Sequence, residues 1–194
     1  MAEKEKKIQI IKAAAKRFDR HGLNKTTLDE IARDLRIGKA TIYHYFESKD
    51  QLYYDVLEWE GSLLLEEVRV IWENPEFNIE QKLSVYFSSK EGLQVRFKLV
   101  FDALINILND KSFEQENLFF SKLITSEEKI LYRAFQQLAK AKTEQHDILV
   151  RTMISQSWNF MFAGKLNLFL ENEKQNSSKD LLIKIIEENF FITK

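Results

Sequence analysis

The 194-residue chain has no cysteine, one proline (Pro75) and five glycines. Without cysteine there are no disulfides and no thiolate metal sites, which fits a reducing, cytoplasmic setting. Scarce glycine and proline, with no β-branched alternation, argue against the many tight turns of a sandwich or barrel. No apolar run approaches the roughly 18 residues of a membrane span, and no charged–apolar–small signal opens the chain. No membrane association is expected. Catalytic patterns are missing as well. His21, His44 and His146 share no metal-binding spacing, and no Glu lies three residues before any of them. There is no glycine-rich phosphate loop and no G-x-S-x-G. The carboxylates are scattered among lysines, so no catalytic pair stands out. The expectation is a protein that is not an enzyme and has no cofactor and no metal.

What remains is helical periodicity and a charge asymmetry. Residues 1–50 carry a net charge of +4 and the rest of the chain −5, although the whole sums to −1. A basic first quarter on an acidic body suits a head that meets a polyanion. Ile8, Ile11, Ala15 and Phe18 recur at three- and four-residue steps, which predicts a helix from about Glu3 to Arg20. His21-Gly22-Leu23 closes it, with Gly22 in the left-handed region.

The stretch from Thr26 to Leu52, TTLDEIARDLRIGKATIYHYFESKDQL, organises the chain. Thr27-Leu28-Asp29-Glu30 is a capping box that opens a short helix with Leu28, Ile31, Ala32 and Leu35 on one stripe. Arg36-Ile37-Gly38 interrupts it, and a second short helix follows from Lys39 to about Tyr45. Ile42 and Phe46 face inward, leaving Ala40, Thr41 and His44 on the opposite face, with Lys39, Tyr43 and Lys49 as donors for phosphate. Ser48-Lys49-Asp50-Gln51 is a further capping box and starts a third helix. Two short helices joined by a tight turn read as a helix-turn-helix or as an ordinary helical hairpin.

TTLDEIA, then IGKATIYHYF, then SKDQL resembles the N-terminal signature of the TetR family of bacterial transcriptional regulators, over roughly residues 8–55. The resemblance implies an all-α fold: a helix-turn-helix DNA-binding domain over residues 1–50, then a helical effector-binding and dimerisation domain over 51–194. It implies double-stranded operator DNA as partner, a homodimer, and usually repression relieved by a small molecule. It places Thr27 and Lys49 on phosphates, and Lys39, Ala40, Thr41, Tyr43 and His44 on the recognition helix. Two residues depart from the family pattern. Arg36 stands where glycine is usual and must adopt the turn conformation at some strain, while offering an extra phosphate contact. Gly38 stands where Ser or Thr is usual and forgoes a side-chain cap. The alternative is an all-helical interaction protein that keeps this fold but does not bind DNA.

Beyond Ser48 a helix is expected to run to about Glu73, some 35 Å, with Leu52, Val56, Trp59, Leu63 and Val70 on one side. Asn74-Pro75 stops it. A helix capped by Asn78 closes at Glu91-Gly92, and another spans Leu93 to Leu108. Residues 109–117 read as a loop anchored by Phe113, followed by a short piece, Leu118 to Ile124. Thr125-Ser126-Glu127-Glu128 is then a further capping box. A helix from about Glu144 to Leu170, a polar loop to Ser178 and a C-terminal helix complete the chain. The last two helices expose more apolar surface than one neighbour covers, which predicts a dimer through Trp158, Phe162, Leu182 and Ile186. The family resemblance implies a pocket among the aromatics of the body, and Phe97, Phe101 and Phe135 are its candidates. With no acidic cluster on the apolar faces, a largely hydrophobic, neutral or anionic effector is expected over a metal or polycation.

Overall fold

The structure, a computed structural model, describes residues 2–109, 114–138, 145–165 and 172–191. These residues are organised as ten helices: α1 (Ala2–His21), α2 (Leu28–Asp34), α3 (Lys39–Tyr45), α4 (Lys49–Glu73), α5 (Ile79–Ser88), α6 (Leu93–Arg96), α7 (Lys98–Asn109), α8 (Glu114–Leu138), α9 (Gln145–Lys165) and α10 (Asn172–Phe190). Among them no helix is long and apolar enough to cross a membrane. They form two compact units, one from residues 2–63 and 97–109, the other from 64–96 and the described residues beyond 113.

The first unit is built on the inward face of α1. Ile10, Ala14 and Phe18 are fully buried, as are Ile31 of α2, Ile42 of α3, and Leu52 and Val56 of α4. Each large aliphatic or aromatic side chain removed from water in this way stabilises the fold by about 1.5–3 kcal/mol. Gly22 takes φ +78° and donates to the Phe18 carbonyl at 2.8 Å, ending α1 as its sequence anticipates. The capping box of α2 forms in full: Thr27 Oγ1 accepts from Glu30 N, and Glu30 Oε2 accepts from Thr27 N at 2.9 Å. At the start of α4 only half a box forms. Ser48 Oγ accepts from Gln51 N, but the Gln51 amide turns forward to Asp55 at 2.7 Å.

The continuous helix expected over Leu93–Leu108 is instead two, broken at Phe97. The cause lies elsewhere in the chain. Glu60 of α4 places its carboxylate over the start of α7, accepting from the N–H groups of Leu99 at 3.1 Å and Val100 at 3.3 Å. A carboxylate at that point satisfies donors a helix start leaves open, so a new helix begins there.

The second unit has an aromatic core: Trp72 of α4, Tyr86 and Phe87 of α5, Phe135 of α8, Phe160 of α9, and Phe191 after α10. Leu64, Val68 and Ile71 carry the buried face of α4, whereas Leu63 and Val70, expected there, are exposed. Asn78 caps α5 with its full reciprocal box. Lys82 of α5 caps the other end of α4, its ammonium donating to the carbonyls of Ile71, Trp72 and Asn74. Its burial pushes the Lys82 pKa down.

Two further segments differ from their expected structure. Residues from Glu114 belong to one long helix, α8, and the box at Thr125 does not form. The Thr125 hydroxyl donates back to the Ser121 carbonyl at 2.8 Å, and Glu127 is drawn into the core by Lys90. The polar run before Ser178 is helical from Asn172 onward, since Glu, Lys and Gln are good helix formers whatever their polarity. Phe113, and residues 166–171 around the expected end of α9, lie outside the described residues.

Candidate nucleic-acid interface

The site grows from the packing of α3. Ile42 and Phe46 are anchored in the core, which fixes the rotation of the helix and turns Lys39, Ala40, Tyr43 and His44 outward, with Thr41 half-buried beside them. Gly38 caps the helix without a side-chain bond, so nothing projects ahead of its first turn. Arg36 in the preceding turn takes φ +54°, the left-handed conformation that its register requires, and is exposed.

Several of these cations are already held by the protein. Lys39 Nζ donates to Asp29 Oδ2 at 3.0 Å and lies 5.8 Å from the Tyr43 ring centroid. That hydrogen bond raises the Lys39 pKa above its usual value. Lys49 Nζ donates to the Leu23 carbonyl at 3.0 Å and ties the α1–α2 loop to α4. His44 Nε2 stands 3.8 Å from Glu3 Oε1 of α1. Thr27, exposed at the start of α2, spends its hydroxyl on the cap. Arg17 of α1 grips Asp34 of α2 through two hydrogen bonds, 2.6 and 3.0 Å, and also approaches Glu30 at 3.4 Å. The carboxyl of Asp34 is held below its ordinary range by that arginine. The partnerships of Lys39 and Arg17 link residues far apart in sequence, and no local pattern announces them.

A helix-turn-helix whose second helix is anchored by one face and presents the other, on a basic three-helix head, defines a DNA-binding protein of the transcriptional-regulator class. Residues 10–56 match the model of the bacterial regulatory proteins of the tetR family. An HTH-type transcriptional regulator of Staphylococcus aureus is 23% identical over 193 residues, covering 89% of this chain and 97% of that protein. The crystal structure of a TetR-family regulator from Mesorhizobium loti superposes with a TM-score of 0.67 at 16% identity, over 99% of this chain and 100% of that one. A transcriptional regulator from Saccharomonospora viridis, solved in complex with choline, gives 0.59 at 15% identity, over 98% and 100%. Residues 10–56 thus match the N-terminal domain of the TetR family, and the chain as a whole shares the fold of a TetR-family structure.

Phe97 and Phe101 are buried in the first unit, while Phe135 is buried in the second between Trp72 and Phe191. Ile186 is buried within its own unit, and Leu182 and Trp158 pack against the same core. Phe162 is half-buried. Leu181 and Ile185 of α10 are 60% and 47% exposed, and Ile148 of α9 is 70% exposed.

Proposed function

We propose that the protein is a cytoplasmic transcriptional repressor, not an enzyme, that binds an inverted-repeat operator as a homodimer. The observation that carries this reading is the exposed face of α3, rigidly presented by buried Ile42 and Phe46. In it Lys39, Thr41, Tyr43 and His44 enter the major groove, where each good base contact is worth about 1–3 kcal/mol of discrimination. Ala40 lets the helix backbone approach closely. Thr27, Arg36 and Lys49 meet phosphates, which give affinity without sequence information. Lys49 uses one of its three N–H donors on Leu23 and keeps two for this contact. Binding also requires Lys39 to trade Asp29 for the DNA.

Two recognition helices related by a two-fold axis must stand about 34–36 Å apart to occupy successive grooves. The dimer supplies that axis, through α9 and α10. Release follows when a small, largely hydrophobic effector enters the body and prefers the non-binding arrangement by a few kcal/mol. The Saccharomonospora viridis relative in complex with choline supports control by a small molecule.

Sequencing the genomic fragments retained by the purified protein identifies the operator. A folded variant with Lys39, Thr41, Tyr43 and His44 all replaced by Ala is expected to lose that sequence preference, and normal operator binding by it overturns the assignment. The engagement of Lys39 and Lys49 by protein groups favours one other reading, a helical interaction protein that does not bind DNA. Salt separates the two: a DNA-binding head loses affinity with a log–log slope of about −0.9 per phosphate neutralised.

A further inference from the structure

The second unit contains a charged pair that its apolar core does not require. Lys90, just after α5, is 0% exposed, and its partner Glu127 of α8 is 1% exposed. Glu127 Oε1 accepts from Lys90 Nζ at 2.7 Å and from the Tyr86 hydroxyl at 2.9 Å. The Lys90 ammonium also lies against two aromatic rings, 5.2 Å from the Trp158 centroid and 5.6 Å from that of Tyr86. Phe120 meets the Trp158 ring edge-on at 6.1 Å and helps fix its orientation. Two ring faces and a carboxylate around one ammonium are the recognition elements of a receptor for organic cations.

We propose that Tyr86, Trp158 and Glu127 form a binding site for a small organic ammonium ion, occupied in the ligand-free protein by Lys90 and entered by the effector when it displaces that side chain. The inference rests on the reading that the body takes a small effector, and it supplies the chemical class. An acidic cluster was not legible on the apolar faces of the sequence, yet Glu127 is inside the core, and this reverses the expected preference for a neutral or anionic molecule.

Charge decides between a cation and an anion. If an ammonium replaces Lys90, one positive charge enters as another leaves, and Glu127 stays compensated. If an anion binds to Lys90 instead, two negative groups face one positive in a site sealed from water, and an uncompensated buried charge is strongly unfavourable. Hydrogen bonding agrees. Lys90 donates one hydrogen bond there, so a quaternary ammonium gives up little by having no N–H to donate. The Trp158 indole N–H is buried without an acceptor, so a ligand hydroxyl or ether oxygen beside the cation gains a bond that Lys90 cannot make.

The displaced side chain also has a mechanical consequence. The turn after α5 is pinned on several sides: Lys90 to Glu127, Glu91 to Lys179 of α10, and Arg96 to the Ser89 carbonyl. Gly92, at φ +70°, follows within the same turn. Withdrawing Lys90 removes the buried one of these ties, and the chain leads from this turn through α6 into α7.

The test uses the full chain without DNA, titrated calorimetrically with butyltrimethylammonium chloride, and with sodium valerate as an anion of similar size. Wild type is expected to bind the cation saturably and not valerate. Glu127→Gln and Trp158→Leu are each expected to weaken it at least tenfold. Lys90→Met, which empties the site of its own cation, is expected to tighten it at least tenfold. If Lys90→Met does not fold, the two weakening variants decide the matter. Valerate binding in place of the cation, no cation binding by wild type, or cation binding indifferent to Glu127 and Trp158 overturns the proposal. Because DNA is absent, failure here is distinct from failure of the regulator reading, which shows as missing operator binding.

Discussion

Arg36 shows how far a single residue can be read from sequence. Its register in the turn requires a left-handed backbone, and it is the one described non-glycine residue with positive φ. That conformation costs an L-residue with a Cβ about 1–2 kcal/mol. Arg36→Gly is therefore expected to stabilise the protein by about 1 kcal/mol, a rise in melting temperature of about 2–4 °C for a chain of this size. If Arg36 contacts a phosphate, the same variant lowers the salt slope of DNA binding by about 1. Higher stability with an unchanged slope would show that the side chain does not touch DNA. Other residues were not legible in this way. Asp29 and Lys39 lie in different helices, and nothing local to either shows that the turn brings them within 3.0 Å.

At the scale of elements, local chemistry revealed the helix starts and distant chemistry altered some of them. Thr27, Asn78 and Gly22 act as their neighbours in sequence dictate, because caps are made within four residues. The break at Phe97 depends on Glu60, a residue of α4, and the missing start at Thr125 depends on Lys90, so neither could be read from its own segment. Glu60 also gives the fold a pH dependence. Its burial raises the pKa from 4.5 to about 7, outweighing the two N–H donors of Leu99 and Val100 that favour the carboxylate. Asp19 of α1 and Asp102 of α7 add to the rise. Lys98 of α7 stands among them, paired with Asp102 at 3.1 Å and 3.9 Å from Asp19. A folded-state pKa above the unfolded value means that this group favours folding at low pH, and that the benefit is lost as pH rises from about 4.5 to about 7. Glu60→Gln removes the buried charge and is expected to raise the melting temperature at pH 8 relative to wild type, with a smaller difference at pH 5. Equal shifts at both pH values would show that the carboxylate does not titrate in the fold.

For the whole molecule, assembly depends on which apolar residues remain outside. The sequence showed that the C-terminal helices carry surplus apolar surface, but helical periodicity could not say which flank of a broad stripe turns inward. Ile186 and Leu182 go to the core, leaving Leu181, Ile185 and Ile148 exposed. Leu181→Glu combined with Ile185→Glu is expected to leave the fold intact and shift the protein to monomer in sedimentation at micromolar concentration. A dimer that survives both changes is made by another surface.

The first unit has a further property, which concerns synthesis rather than binding. Its chain is discontinuous: α7 belongs with α1 and the start of α4, while residues 64–96 between them belong to the other unit. A ribosome therefore releases the first sixty residues well before the helix that completes their unit exists. Until then the Glu60 carboxylate has no backbone donors to hold, and the surface of α1 that α7 will cover stays bare. Contacts of such long sequence separation form slowly and leave apolar surface exposed in the interval. A gene fragment ending near residue 63 should accordingly yield a less soluble and less stable head than one carried through residue 109.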